Sequence, residues 1–240
     1  MRWRSCVLTA KRKEPTLREC LESVCEAGWP DAKVYAEPGA DPVSERFVVH
    51  ERNLGIGGNW MFALRDSIEH GCDAVLILQD DAVMAANCRE YLERTWPEQA
   101  HILWLYRSER TTQKSRLIGW RPTDPSRQTV YGCLAVAMSG VTAERIDREI
   151  GDKLSRLRLG FDVHMQDRVT KHLGMRIYQH RPSLVQHIGR TSILHPGMFL
   201  SVSRRAGDDW IRDAKEWSDA VGSGDHDGAR QADADPAGDG

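Results

Sequence analysis

No run of apolar residues reaches the roughly 18 to 20 that a membrane-spanning helix needs, so no span is expected. There is no Cys-x-x-Cys pair and no Cys/His spacing suited to zinc. The six cysteines, Cys6, Cys20, Cys25, Cys72, Cys88 and Cys133, fall inside apolar-periodic segments, which reads as reduced, buried thiols in a cytoplasmic protein. The opening residues are basic, but their apolar stretch is short and Lys11-Arg12-Lys13 interrupts it, so export is not expected. The Gly-Lys-Ser/Thr of a phosphate loop is missing. Nor is there an excess of one charge. The 33 Lys and Arg against 35 Asp and Glu leave −2, which gives neither nucleic acid nor an anionic membrane a sequence-wide attraction.

What is present is 240 residues, 40% apolar and 28% charged, enough to bury a core. The charge is uneven. From Ser218 onward six Asp stand against one Arg, so this segment carries −5 and residues 1–217 carry +3. Its Gly, Ala, Asp and Ser cannot repay ordering entropy, so 218–240 is expected to be a disordered acidic tail on a single domain, 1–217.

Within that domain strand-like and helix-like segments alternate. Strands are expected at 4–10, 33–36, 47–50 and 74–78, and helices at 15–27 and 58–70. The uninterrupted Ala74-Val75-Leu76-Ile77-Leu78 suits a central parallel strand. Further on, helices are expected at 87–96, 142–158 and 162–173 and strands at 101–106 and 130–138. Such alternation predicts an α/β fold with a mostly parallel central sheet flanked by helices.

Two segments carry chemistry. The buried strand 74–78 runs into Gln79-Asp80-Asp81, and two adjacent carboxylates there need an opposing charge, for which a divalent metal is suited. A cap on the following turn is the plainer role. The second segment, Arg52-Asn53-Leu54-Gly55-Ile56-Gly57-Gly58-Asn59-Trp60, lies between a strand and a helix, where glycine lets backbone approach a ligand. A dinucleotide fingerprint would want glycine where Trp60 stands, and a plain turn also fits.

These residues resemble glycosyltransferases of the GT-A fold, which take a sugar from a nucleotide-sugar donor with a divalent cation. Val7-Leu8-Thr9-Ala10 and the helix after Pro15 look like the opening strand, loop and helix that lie along the nucleotide. Glu37 looks like the acid that contacts uridine or ribose, and Asn53 to Asn59, with Gly55 and Gly58, is similar to the segment beside the nucleobase. Gln79-Asp80-Asp81 sits where the family has its DxD motif, with Asp81 matching the metal-binding carboxylate and Gln79 replacing the first acid. Pro182-Ser183-Leu184-Val185-Gln186-His187-Ile188-Gly189 resembles a run in N-acetylglucosaminyltransferases that branch N-glycans.

The resemblance implies a UDP-sugar donor, Mn2+ or Mg2+ held by Asp81 with Asp80 beside it, and a glycan or other hydroxyl acceptor. The basic residues Arg107, Arg110, Lys114, Arg116, Arg121 and Arg127 form a solvated face or suit a phosphate-bearing acceptor, hydroxylated DNA included. A carboxylate must take the acceptor's proton in an inverting transfer. Asp162 is the candidate and Asp167 its rival; on one helix they stand about 140° apart and cannot point the same way. His187 either completes the metal's coordination or donates to a phosphate, from a loop bracketed by Pro182 and Gly189. A nucleotidyltransferase with a related sheet, and a binding module without turnover, are the alternatives.

Overall fold

The computed structural model describes residues 1–41, 46–107, 119–124, 132–189 and 212–214. Its first half is built by the apolar runs. β1 (Trp3–Thr9) and β4 (Ala74–Gln79) are buried along nearly their whole length, which suits strands covered on both faces. β2 (Lys33–Ala36) and β3 (Phe47–Val49) extend the sheet on the far side of β1, all in parallel. The helices between them, α1 (Leu17–Glu26) and α2 (Gly55–Glu69), are the crossovers that parallel pairing requires.

Past β4 the direction of the sheet changes. β8 (Ala135–Ser139) runs antiparallel between β4 and β6 (Ile102–Trp104), β9 (Ile177–Arg181) joins β6 in parallel, and β7 (Gly119–Pro122) closes that edge antiparallel. The order is β3-β2-β1-β4-β8-β6-β9-β7, and four of its seven pairings are parallel. A separate ribbon pairs β5 (Ala82–Met84) with β10 (Val185–His187).

Alternation along the strands sends side chains to opposite faces. Val7, Leu76 and Leu78 meet α1 and α3 (Cys88–Thr95) through Leu17, Val24 and Leu92. Cys6, Leu8, Val75 and Ile77 meet α2, α4 (Gly140–Ser155) and α5 (Phe161–Asp167) through Trp60, Leu64, Ile146 and Met165. Each buried Val, Leu or Ile on these faces contributes roughly 1.5–3 kcal/mol.

Several expectations are refined. α2 begins at Gly55 rather than Gly58, and α4 begins at Gly140, where Ser139 accepts the Thr142 N–H as a cap. The expected helix 162–173 divides into α5 and a π-helical turn over 168–172. Residues 185–187 are a strand rather than a loop, because β5 offers a free edge and Val185 is buried against it. Cys25 is exposed and Cys72 half-buried, so only Cys6, Cys20, Cys88 and Cys133 are core thiols. The acidic tail, Arg110, Lys114, Arg116 and Arg127 lie outside the described residues.

Candidate functional site

In an open α/β sheet the strands' carboxyl ends on either side of a switch in strand order frame a crevice. Here β1 is followed outward by β2 and β3 on one side and by β4 on the other, so the switch lies between β1 and β4. Thr9, Ala10, Glu37, Asp80 and Asp81 all sit at these strand ends. The backbone registers them: the Glu37 N–H donates to the Thr9 carbonyl at 2.9 Å, and the Asp80 N–H to the Leu8 carbonyl at 3.0 Å.

The two carboxylates are buried, Asp80 at 2% and Asp81 at 5% exposure. Asp80 Oδ2 accepts from the Thr9 hydroxyl at 2.6 Å, across the switch. Its Oδ1 accepts from Arg12 Nε at 2.7 Å and also from Arg12 Nη2. The same Nη2 lies 3.0 Å from Asp81 Oδ2, which His187 Nε2 approaches at 3.1 Å. Asp81 Oδ1 is buried and accepts no hydrogen bond among the described residues.

Burial pushes both carboxyls up, but the outcome differs between them. For Asp81 the His187 hydrogen bond and Arg12 outweigh burial and hold it below the usual carboxylate range. For Asp80 burial prevails and its carboxyl is raised, despite Arg12 and Thr9. Burial alone would lower the Arg12 guanidinium, and the two carboxylates raise it instead.

His187 reaches this point through the β5–β10 ribbon. The register sets His187 opposite Ala82, the residue after Asp81, and the Ile188 N–H donates to the Asp81 carbonyl at 2.9 Å. The Tyr106 ring packs edge-on to the imidazole, with centroids 6.2 Å apart. Gly189 completes the wall. A Cβ there would fall 2.7 Å from Asp81 Oδ2 and 3.0 Å from His187 Nε2, so a larger residue would have to push the carboxylate and the imidazole aside.

Glu37 is brought to the second segment. Its Oε2 accepts the Leu54 N–H at 2.8 Å, while Oε1 is buried without a partner among the described residues. Asn53 is exposed next to this contact, and Gly55 opens α2 at φ +69°, its Cα facing the Arg158 guanidinium. Gly58 and Asn59 serve packing. A Cβ on Gly58 would meet Leu54 Cβ at 2.9 Å, and Asn59 donates to the Tyr35 carbonyl at 3.1 Å and meets His50 Nε2 at 2.9 Å.

Asp162 stands in the first turn of α5, where both its oxygens are used. Oδ2 accepts the Gly132 N–H at 2.7 Å and Oδ1 accepts the Val163 N–H at 2.9 Å. Gln79 links this carboxylate to the crevice: its side-chain amide donates to the Cys133 carbonyl at 2.9 Å, next to Gly132. An acid at position 79 has no N–H for that bond. Asp167 is not gathered here; it ends α5 and is paired with Lys171 of the following turn at 2.5 Å, and that hydrogen bond lowers its carboxyl.

The residue that sequence reading missed is Arg12. It hides in a basic run and carries no periodicity, yet it lies three residues past the end of β1, beside the strand that ends in two acids. Adjacent buried carboxylates demanded a cation, and the chain itself supplies one. A divalent ion fits here in one respect: Asp81 Oδ1 is a bare, buried oxygen with an imidazole nearby. No group of three or more His, Cys, Asp or Glu gathers at metal-binding range among the described residues. The protein would thus provide Asp81 and His187, with substrate oxygens and water completing the shell.

No protein-family model and no curated protein matches this chain. Solved structures do resemble it. Mannose-1-phosphate geranyltransferase from Thermus thermophilus is 13% identical over 75% of this chain and 74% of its own, with a TM-score of 0.46. A197 from STIV is 15% identical over 77% and 85%, at 0.47. A chain described as a glucose-1-phosphate thymidylyltransferase from Bacillus anthracis is 10% identical over 77% and 89%, at 0.50. Likeness at such identity extends to the fold alone, and that fold is a GT-A-like, Rossmann-related α/β sheet, mostly parallel and flanked by helices.

Proposed function

We propose that this protein is a glycosyltransferase that moves a sugar from a nucleoside diphosphate sugar, of the UDP class, to a hydroxyl acceptor such as a glycan. The observation that carries this reading is Asp81, a buried carboxylate with one bare oxygen at the switch between β1 and β4. Glu37, whose own Oε1 is free of partners among the described residues, would receive hydroxyls of the nucleoside beside Asn53 and the backbone at Thr9 and Ala10. Asp81 and His187 would hold Mn2+ or Mg2+, which when bound neutralises the diphosphate leaving group as a Lewis acid.

Asp162 would take the acceptor's proton. Its two backbone N–H donors fix the direction of the carboxylate, as positioning a general base requires.

Nucleotidyl transfer is the second reading, favoured by Arg12, a cation delivered from the loop after β1 to the carboxylates. Thr9 to Lys13 has no glycine to let a triphosphate approach the backbone. One assay separates the two. The protein with Mn2+ and UDP-sugars is expected to release UDP, and with nucleoside triphosphates and sugar 1-phosphates no pyrophosphate. Pyrophosphate release would reverse the assignment, and binding with neither product would leave a binding module.

A further inference from the structure

Resting on the reading that Asp81 is the ligand of a divalent cation, we propose that Arg12 and that cation are alternative occupants of the Asp80–Asp81 pair. In the free protein Arg12 keeps the ion out, and the ion enters together with the donor's diphosphate.

Three observations carry this. Arg12 bridges the two carboxylates through Nε and Nη2, so one guanidinium already serves both. It is nearly buried, with its side chain 11% exposed, and is held as an internal counter-charge rather than a surface side chain. Asp81 Oδ2 is contacted twice, by Arg12 and His187, which leaves only Oδ1 for another cation.

With Arg12 in place the two carboxylates and one guanidinium sum to −1; without it they would sum to −2. An ion on Asp81 would sit about 2.0–2.6 Å from a carboxylate oxygen. That same carboxylate carries a guanidinium nitrogen at 3.0 Å, so the two cations would stand within a few ångströms of each other. A diphosphate entering the crevice offers the guanidinium a second anion and the ion further oxygen ligands at once. Arg12 would then release Asp81 in the same step that loads the metal.

The test uses Mn2+ and the full chain without nucleotide, reading free ion by electron paramagnetic resonance. Arg12→Gln is expected to bind Mn2+ at least about tenfold more tightly than wild type, a gain of about 1.4 kcal/mol. Arg12→Lys, whose single ammonium cannot span both carboxylates as the fork does, is expected to fall between them. The gain should vanish in Arg12→Gln combined with Asp81→Asn. Equal affinity in wild type and both variants overturns the exchange, as does a gain that survives loss of Asp81. If a variant is unfolded, millimolar Mn2+ must restore its thermal transition, and a variant that stays unfolded with the ion also overturns it. Neither donor nor turnover enters the titration, so absence of sugar transfer would leave this result standing, and the converse holds.

Discussion

A buried carboxylate with a bare oxygen is costly to keep, since an unsatisfied ionised group forfeits its hydration without full return. Asp81 bears that cost just past the carboxyl end of β4 while Asp80 beside it is fully bonded, so the two are not interchangeable. Asp81→Asn is expected to abolish transfer, with a melting temperature within about 4 °C of wild type, because Arg12 keeps Asp80 as its partner. A circular-dichroism melt beside a UDP-release assay checks both halves; turnover at the wild-type rate would remove Asp81 from the mechanism. Asp162→Asn is expected to bind donor normally and to turn over about 10²-fold more slowly. Its amide would also set an NH2 against the N–H of Gly132 or Val163, costing about 1–3 kcal/mol of stability. A larger kinetic loss at Asp167 would move the base. The sequence pointed to Asp81 and Glu37 because each acid stands just past a strand, and to His187 only through the run that resembles another family. Arg12 was not legible, because a basic run looks the same whether its members are solvated or drawn inward.

At the scale of elements, the glycines of α2 show how one signal serves two purposes. Flexible backbone near a strand end suggests a ligand, yet Gly57 lies where α4 ends, and its N–H donates to the Leu157 carbonyl at 3.2 Å. A Cβ there would run into the carbonyl oxygens of Leu154 and Leu157. Gly57→Ala is therefore expected to push α2 from the end of α4 and cost about 1–3 kcal/mol, as an overpacked contact does. Urea unfolding at constant slope would measure it, and an unchanged midpoint would mean that the α4 end simply yields. The long elements were readable because burial on two faces or one leaves a periodicity in the residues. β5, β7, β9 and β10 were not. The partners that bury them, such as Met84 for Val185, are far away in the chain.

For the molecule as a whole, acid sensitivity is set in part by His180. The ring is fully buried in β9, with Nδ1 donating to the Pro182 carbonyl at 2.7 Å and Nε2 at 2.6 Å from the Tyr91 hydroxyl. Burial drives its pKa down to about 4. The unfolded chain takes up a proton there near pH 6.5 while the folded one does not, so stability is full above that pH and falls as pH drops toward 4. The loss amounts to up to about 3 kcal/mol. Denaturant unfolding at pH 7 and pH 4.5 should show a larger drop in wild type than in His180→Gln; parallel drops would exclude His180 as the cause. The β5–β10 ribbon also sets a schedule. Asp81 and His187 are 106 residues apart, whereas the parallel half of the sheet is complete by Gln79. A chain emerging from the ribosome can lay down that half first, but distant pairing comes late and closes slowly. The site at the strand ends is thus assembled only after residue 187 has been synthesised, and a nascent chain holds the parallel half of its sheet well before Asp81 and His187 can meet.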